Sequence, residues 1–250
     1  IDDLFETPVK IADIPVGSEP TGLALSPNNR RLYVANWVDG TVTVVDAVDH
    51  SVIETIDLNQ VLVDTGVLGP NQPNRAALAH PRSIAITNDG DADDDDEIIA
   101  VTEFFAARSA PEANDGSNVD INWFGIVYTI DSGTGEVSTI ALDAVDDTGF
   151  NDNNNAVTGC FPNQLQSLTI RDGLAFIPTI CASPRGPTSV KTMTHPVLYV
   201  VDLAAGTTVD QVNLNAAFEA HYADGSVPDD ASRRYPLVAD LGRRDPVPAA

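Results

Sequence analysis

The sequence predicts an all-β protein, and three observations carry that expectation. Apolar residues make up 43% of the 250-residue chain, enough for a sizeable core. They fall in short Val/Ile/Leu/Thr runs punctuated by 17 glycines and 17 prolines, a pattern of many strands and tight turns rather than long helices. The same order of runs then recurs three times along the chain.

The elements follow in order. After an N-terminal strand or lead-in over 1–19, the first block spans 20–58 and holds four strand-like runs at 22–26, 31–36, 41–46 and 52–58. A connection over 59–79 leads to the second block, 80–142, which begins PRSIAITNDG at Pro81, resumes EIIAVTE at Glu97 and closes GIVYTIDSGTGEVSTIAL, with an insertion at 103–124. A connection over 143–161 leads to the third block, 162–214, which begins PNQLQSLTIRDGLAFIPTI and closes HPVLYVVDLAAGTTVDQVNL, with an insertion at 179–194. Residues 215–250 read as a Pro-rich polar tail or a link to further blades. Each block runs Pro, strand, turn, strand, connection, strand ending in Asp46, Asp131 or Asp202, turn, strand. Four consecutive antiparallel strands, repeated, are the sequence form of a propeller blade.

The first block, VGSEPTGLALSPNNRRLYVANWVDGTVTVVDAVDHSVIETIDL, resembles the YVTN β-propeller repeat of secreted and cell-surface bacterial and archaeal proteins. Tyr33-Val34-Ala35-Asn36 stands at the naming tetrapeptide, with Ile99-Ala100-Val101-Thr102 and Phe176-Ile177-Pro178-Thr179 in that place later. The resemblance implies an all-β propeller of four-stranded antiparallel blades and a location outside the cytoplasm: periplasm, cell surface or secreted. It implies no single chemistry, because propellers host many. Propellers close with about four to eight blades, so three legible blades imply part of a larger ring, of about seven, completed by further blades of the polypeptide or by a partner chain.

Antiparallel order sorts the loops. Turns between the first and second, and third and fourth, strands of a blade lie on one face; all other connections lie on the opposite one. Every long segment (59–79, 103–124, 143–161, 179–194 and the tail) falls on that second face, which is how a rigid scaffold builds a recognition surface. Trp37 and Trp123 lie beside second-to-third-strand connections, on the long-loop side, and are the candidate partner-binding anchors. Core packing against a neighbouring blade is the competing role for both. Counting outward from the turn at Asp172-Gly173 sets Cys160 almost opposite Cys181, which predicts a disulfide and an oxidising compartment.

Thirty-seven acidic against thirteen basic residues give a formal charge of -24, which argues for solubility and against nucleic acid as a partner. No run approaches the ~18 apolar residues of a membrane helix. The stretch NDGDADDDDE places Asp89, Asp91, Asp93 and Asp95 in the alternation by which a tight loop wraps calcium in oxygen ligands. It lacks the sixth-position glycine and twelfth-position Glu of an EF-hand, and a solvated acidic hairpin is the plain alternative. His50, His80, His195 and His221 show no metal-binding spacing, and His80 and His195 read as strand-leading residues. Asp46, Asp131 and Asp202 recur once per blade, which argues for turn capping rather than catalysis. There is no nucleophile elbow, P-loop, dinucleotide fingerprint or C-x-x-C-H site, so this chain carries no covalent haem of that type and no assigned catalytic residue.

The leading expectation is a non-enzymatic extracytoplasmic module that binds a protein partner through its long-loop face. One alternative is the propeller portion of a secreted redox protein associated with a c-type cytochrome or peroxidase-like domain. A less favoured one is a calcium-dependent propeller hydrolase, which would need polar inner strands. Leu23, Leu25, Ile84, Ile86, Leu168 and Ile170 dominate those strands, with only Gln164 and Gln166 standing out.

Overall fold

The computed structural model describes residues 10–69, 78–91 and 93–222. Expectations for 1–9, for 70–77 of the first connection, for Ala92 of the acidic turn and for the tail beyond 222 lie outside the described residues, as do the side chains of Val190, Lys191, His221 and Tyr222.

Three antiparallel sheets follow one another along the chain. The first is β1 (Pro20–Leu25), β2 (Arg31–Asn36), β3 (Thr41–Asp46) and β4 (Ser51–Asp57), paired in that order. The second joins β5 (Pro81–Ile86), β6 (Ile98–Glu103), β8 (Trp123–Asp131) and β9 (Val137–Leu142), with the two-residue β7 (Ala107–Arg108) paired to the start of β8. In the third, β10 (Phe161–Asn163) and β11 (Thr169–Arg171) share one neighbour, β12 (Leu174–Ala182), followed by β13 (Thr194–Asp202) and β14 (Thr207–Asn213). Helices α1 (Leu58–Asp64), α2 (Val190–Met193) and α3 (Leu214–Tyr222) lie in the connections. The architecture is an all-β propeller arrangement of three blades.

The sheets are held by apolar side chains on both of their faces, because successive residues of a strand point to opposite sides. Tyr33, Ala35, Val42 and Val44 of the first sheet meet Ile84, Ile99, Val101, Ile126, Tyr128 and Ile130 of the second in one buried seam. The other face of the second sheet supplies Ala100, Val127, Ile140 and Leu142 to a second seam, closed by Leu165, Ala175, Ile177, Val197, Tyr199 and Val201. Polar bonds stitch the same seams: Thr21 Oγ1 donates to the Pro81 carbonyl, Arg31 to the Ser132 carbonyl, and Thr102 Oγ1 to the Leu165 carbonyl.

The recurring aspartates cap turns. Asp46 Oδ1 accepts the Val48 and Asp49 N–H groups, Asp131 Oδ1 those of Gly133 and Thr134, and Asp202 Oδ1 that of Ala205. Backbone donation holds the Asp46 and Asp131 carboxyls below the usual carboxylate range.

Strand register corrects one expectation. Arg31, Ile98 and Leu174 pair with Asp46, Asp131 and Asp202, so these positions are equivalent. The second-blade counterpart of Tyr33-Val34-Ala35-Asn36 is therefore Ala100-Val101-Thr102-Glu103, one residue later than Ile99-Ala100-Val101-Thr102. The sequence alignment slipped because both frames offer an aliphatic run; only the partner strand fixes which residue faces which seam.

Two local features depart from a plain strand reading. Asp57 ends β4 and caps α1 by accepting the Asn59 and Gln60 N–H groups, and the helix buries Leu58 and Leu62 in the first seam. Gly40, at φ +68, lies under this helix start, where an added Cβ would meet the Asn59 side chain at 2.4 Å. The inner strand of the third blade is broken between β10 and β11. Gln164 takes a φ of +52 there, and the break lets fully buried Leu165 pack against Gly125.

Ile177, with no solvent exposure, sits in the second seam. Truncating it to alanine is expected to lower stability by about 2–5 kcal/mol in urea denaturation, whereas alanine at exposed Val209 should change it by less than about 0.5 kcal/mol.

Candidate functional site

Three of the long connections, 103–124, 143–161 and 179–194, meet on one rim of the molecule. Arg185, in the β12–α2 connection, donates its backbone N–H to Asp120 of the β7–β8 connection at 2.8 Å and its guanidinium to Asp152 of the β9–β10 connection at 3.0 Å. Asp120 is almost fully buried, and burial pushes its carboxyl above the usual carboxylate range. Asp152 is held below that range, chiefly by the Ala156 N–H. The Cys160–Cys181 disulfide, with Cα atoms 5.3 Å apart, fastens the start of β10 to the end of β12 beside these contacts.

Two aromatic clusters stand where this rim crosses the seams. At the first, Trp37 meets His80 edge-on at 5.3 Å and Phe104 at 4.9 Å, and Phe105 closes on both His80 and Phe104 at 4.9 Å. The Arg82 guanidinium lies 5.7 Å from the Trp37 ring centre. At the second, Trp123 stacks on Phe161 at 5.7 Å and carries the Arg108 guanidinium at 4.8 Å. Both tryptophans are thus half-buried seam residues with an arginine on the ring, and the exposed apolar surface at the first cluster belongs to Phe105, Val38 and Leu78.

Beneath the first cluster lies Glu103, fully buried at the end of β6. Its Oε2 accepts the His80 backbone N–H at 2.8 Å and the Tyr128 hydroxyl at 2.9 Å, and its Oε1 lies 3.7 Å from His80 Nδ1. The equivalent positions are also buried and polar: Asn36 donates to the Thr41 and Thr43 hydroxyls, and Thr179 to the Val197 carbonyl. Sequence reasoning missed Glu103, Phe104 and Phe105. The one-residue slip in the second block hid that Glu103 matches Asn36 and Phe104 matches Trp37.

The acidic turn lies on the opposite face. Asp89, Asp91 and Asp96 bring a carboxylate oxygen each within 4.8 Å of one another, all exposed. Crowding, first by Asp89, raises the Asp96 pKa. Asp89, Asp91 and Asp93 each accept a backbone N–H two residues on. Of the four expected ligands, Asp95 instead reaches Arg31 at 3.5 Å, and Asp93 is outside the cluster. Buried Glu97 closes the base of the turn, accepting the Thr87 hydroxyl and the Asp89 N–H. Hard oxygen donors of this kind suit calcium.

Of the remaining histidines, His50 is exposed in the β3–β4 turn and His195 is fully buried at the start of β13. No helix among the described residues is long and apolar enough to cross a membrane.

No family model matches the chain, and no curated protein matches it. Among solved structures, a hydrazine synthase from Kuenenia stuttgartiensis aligns with TM-score 0.42 and 16% identity over 78% of this chain and 37% of that one. A luciferin-regenerating enzyme aligns with TM-score 0.33 and 14% identity over 65% and 38%. The dihydro-heme d1 dehydrogenase NirN aligns with TM-score 0.24 and 16% identity over 76% and 37%. These are distant likenesses of fold, and the chain spans well under half the length of each.

Removing the Tyr128 hydroxyl by Tyr128→Phe takes a donor from the buried Glu103 carboxylate. A loss of about 1–3 kcal/mol in chemical denaturation is expected, and a change near zero would show that the carboxylate is satisfied without it.

Proposed function

We propose that this chain is a non-enzymatic, extracytoplasmic propeller module that binds a protein partner through its long-loop rim. The observation that carries the reading is the convergence of 103–124, 143–161 and 179–194 on one rim, tied through Arg185 and the Cys160–Cys181 bridge, beside aromatic clusters at both seams. Fixed loops cost little ordering entropy on binding, and aromatic or arginine side chains are the usual anchors of an interface. Trp37 and Trp123 act in this reading as the rigid backing of the contact surface, with Phe105, Val38 and Leu78 as the parts a partner touches. The disulfide supports an oxidising compartment such as the periplasm or the cell exterior.

The outward face of the third blade supports a second element of the reading, that further blades or domains dock beside it. Phe176, Pro178 and Ile180 pair with Val200, Leu198 and Pro196 on that face. Their first-blade equivalents include Tyr33, Ala35, Val42 and Val44, which are buried in a seam. Here an apolar depression of about 510 Å³ remains, edged by Gln164, Gln166 and Leu214. A surface built like a seam and left open by the described residues is one that another sheet fits.

For the acidic turn we propose calcium, held by Asp89, Asp91 and Asp96, as a clamp on the β5–β6 connection rather than a reactive centre.

Two measurements test these readings. Immobilised protein should retain a partner from a cell-envelope extract, and Phe105→Ser should weaken that binding at least about tenfold with the melting temperature unchanged; equal binding by the variant removes Phe105 from the interface. Calcium at about 100 times its dissociation constant should stabilise the fold by about 2.7 kcal/mol, an increment Asp91→Asn should abolish; no calorimetric heat with calcium rejects the clamp.

A further inference from the structure

His195 occupies a junction of four segments with no solvent exposure. Phe150 of the β9–β10 connection stacks on its ring at 5.5 Å. Asn213, at the end of β14, approaches Nδ1 with its amide nitrogen at 3.3 Å, and Asn215, in the first turn of α3, does so at 3.4 Å. Two NH2 groups thus face one ring nitrogen, which makes Nδ1 the acceptor of a neutral ring whose Nε2 is buried with no hydrogen-bond partner among the described residues.

Neither amide is free to turn round. Asn213 Oδ1 caps α3 by accepting the Asn215 and Ala216 N–H groups, while its Nδ2 also donates to the Thr148 carbonyl at 3.1 Å. Asn215 Nδ2 donates to the Thr194 carbonyl at 3.1 Å. Flipping Asn213 would set its oxygen against the Thr148 carbonyl and strip α3 of its cap.

We propose that His195 is an acid-operated latch: protonation at Nδ1 sets N–H against two amide donors and releases α3 and the 143–161 connection from β13. Among the described residues, the charged groups on the surrounding elements do not offset this. Asp143 and Asp147 of the connection, Asp210 of β14 and Glu219 of α3 are exposed, and Asp152 is paired to Arg185. Burial is the largest cause and lowers the His195 pKa below the ordinary imidazole value, and no charged group is among its causes. The sign follows: a histidine with a depressed folded pKa stabilises the closed form above the ordinary value near 6.5, and that stability is lost as pH falls below it.

Hydrogen–deuterium exchange mass spectrometry, corrected for intrinsic rates, tests the latch in the whole chain. The opening equilibrium at 143–161 and 214–222 should rise about 30-fold between pH 8 and pH 5, the factor for one proton bound by an open form of ordinary imidazole pKa. His195→Asn keeps an acceptor oxygen near the Nδ1 position but cannot titrate, so its exchange in those segments should stay flat over the same range. An equal acid response in the variant overturns the proposal. A second measurement stands should that variant fail to fold: the imidazole nitrogen shifts of the wild-type protein, followed by NMR. Titration of His195 near 6.5 with both segments still protected overturns the proposal; an uncharged ring down to the pH at which protection is lost supports it.

Discussion

A strand pair with apolar side chains on both faces cannot be stable alone in water, and everything in this molecule follows from that constraint. Tyr33 and Ala35 face one way along β2, and Val34 faces the other. The second sheet uses Ile99 and Val101 for one seam and Ala100 for the next, within three consecutive residues. At roughly 25 cal/mol per Å² of apolar area removed from water, the second sheet draws its stability from both neighbours. The blades therefore specify one another, and the loops, which add only a few residues such as Leu62 and Leu165 to the seams, are available to vary in length.

The polar position equivalent to Asn36 in the second strand of each blade shows how this scheme tolerates differences between blades. Asn36, Glu103 and Thr179 differ in charge and size, yet each is buried and each finds a donor or acceptor on the adjoining third strand. Glu103 reaches the Tyr128 hydroxyl, and Tyr128 is the register equivalent of Thr43, the partner of Asn36. Two side chains have changed together and the bond between the strands has survived. A buried group that lost its partner would cost about as much as a core truncation, and in the third blade Thr179 is satisfied by the Val197 backbone carbonyl while Tyr199 turns to Asp143.

Much of the fold was legible because its signals are local. Strands 31–36 and 41–46 coincide with β2 and β3, since alternation and the Asp-Gly turn between them leave one register. The Cys160–Cys181 bridge was legible by counting outward from the turn at Asp172-Gly173. Helices α1 and α3 were not, because each begins immediately after a strand and is brief, so a strand pattern runs straight into it; the cap at Asp57 was the available signal. The site was less legible than the fold. Trp37 and Trp123 stood out by residue type, but Glu103, Asp120 and Arg185 matter through burial and partners contributed from 23 to 68 positions away, which spacing along the chain does not encode.

The acidity of the chain also takes on a structural meaning. Many of its carboxylates are spent on local backbone donors, and for Asp46, Asp115, Asp131 and Asp152 such bonds are the largest cause of a lowered pKa. A depressed carboxylate stabilises the fold above its unfolded value near 3.9 and loses that contribution as pH falls through the lower folded one. His195 belongs to a different window, beginning near 6.5, and to a different place, the junction of α3 with the third blade. Acid therefore reaches the rim before it reaches the turns. Asp46 and Asp131, which cap blade turns, keep their bonds through the range in which an imidazole takes up a proton, so the seams remain closed while one edge of the long-loop face changes its charge and its hydrogen bonding.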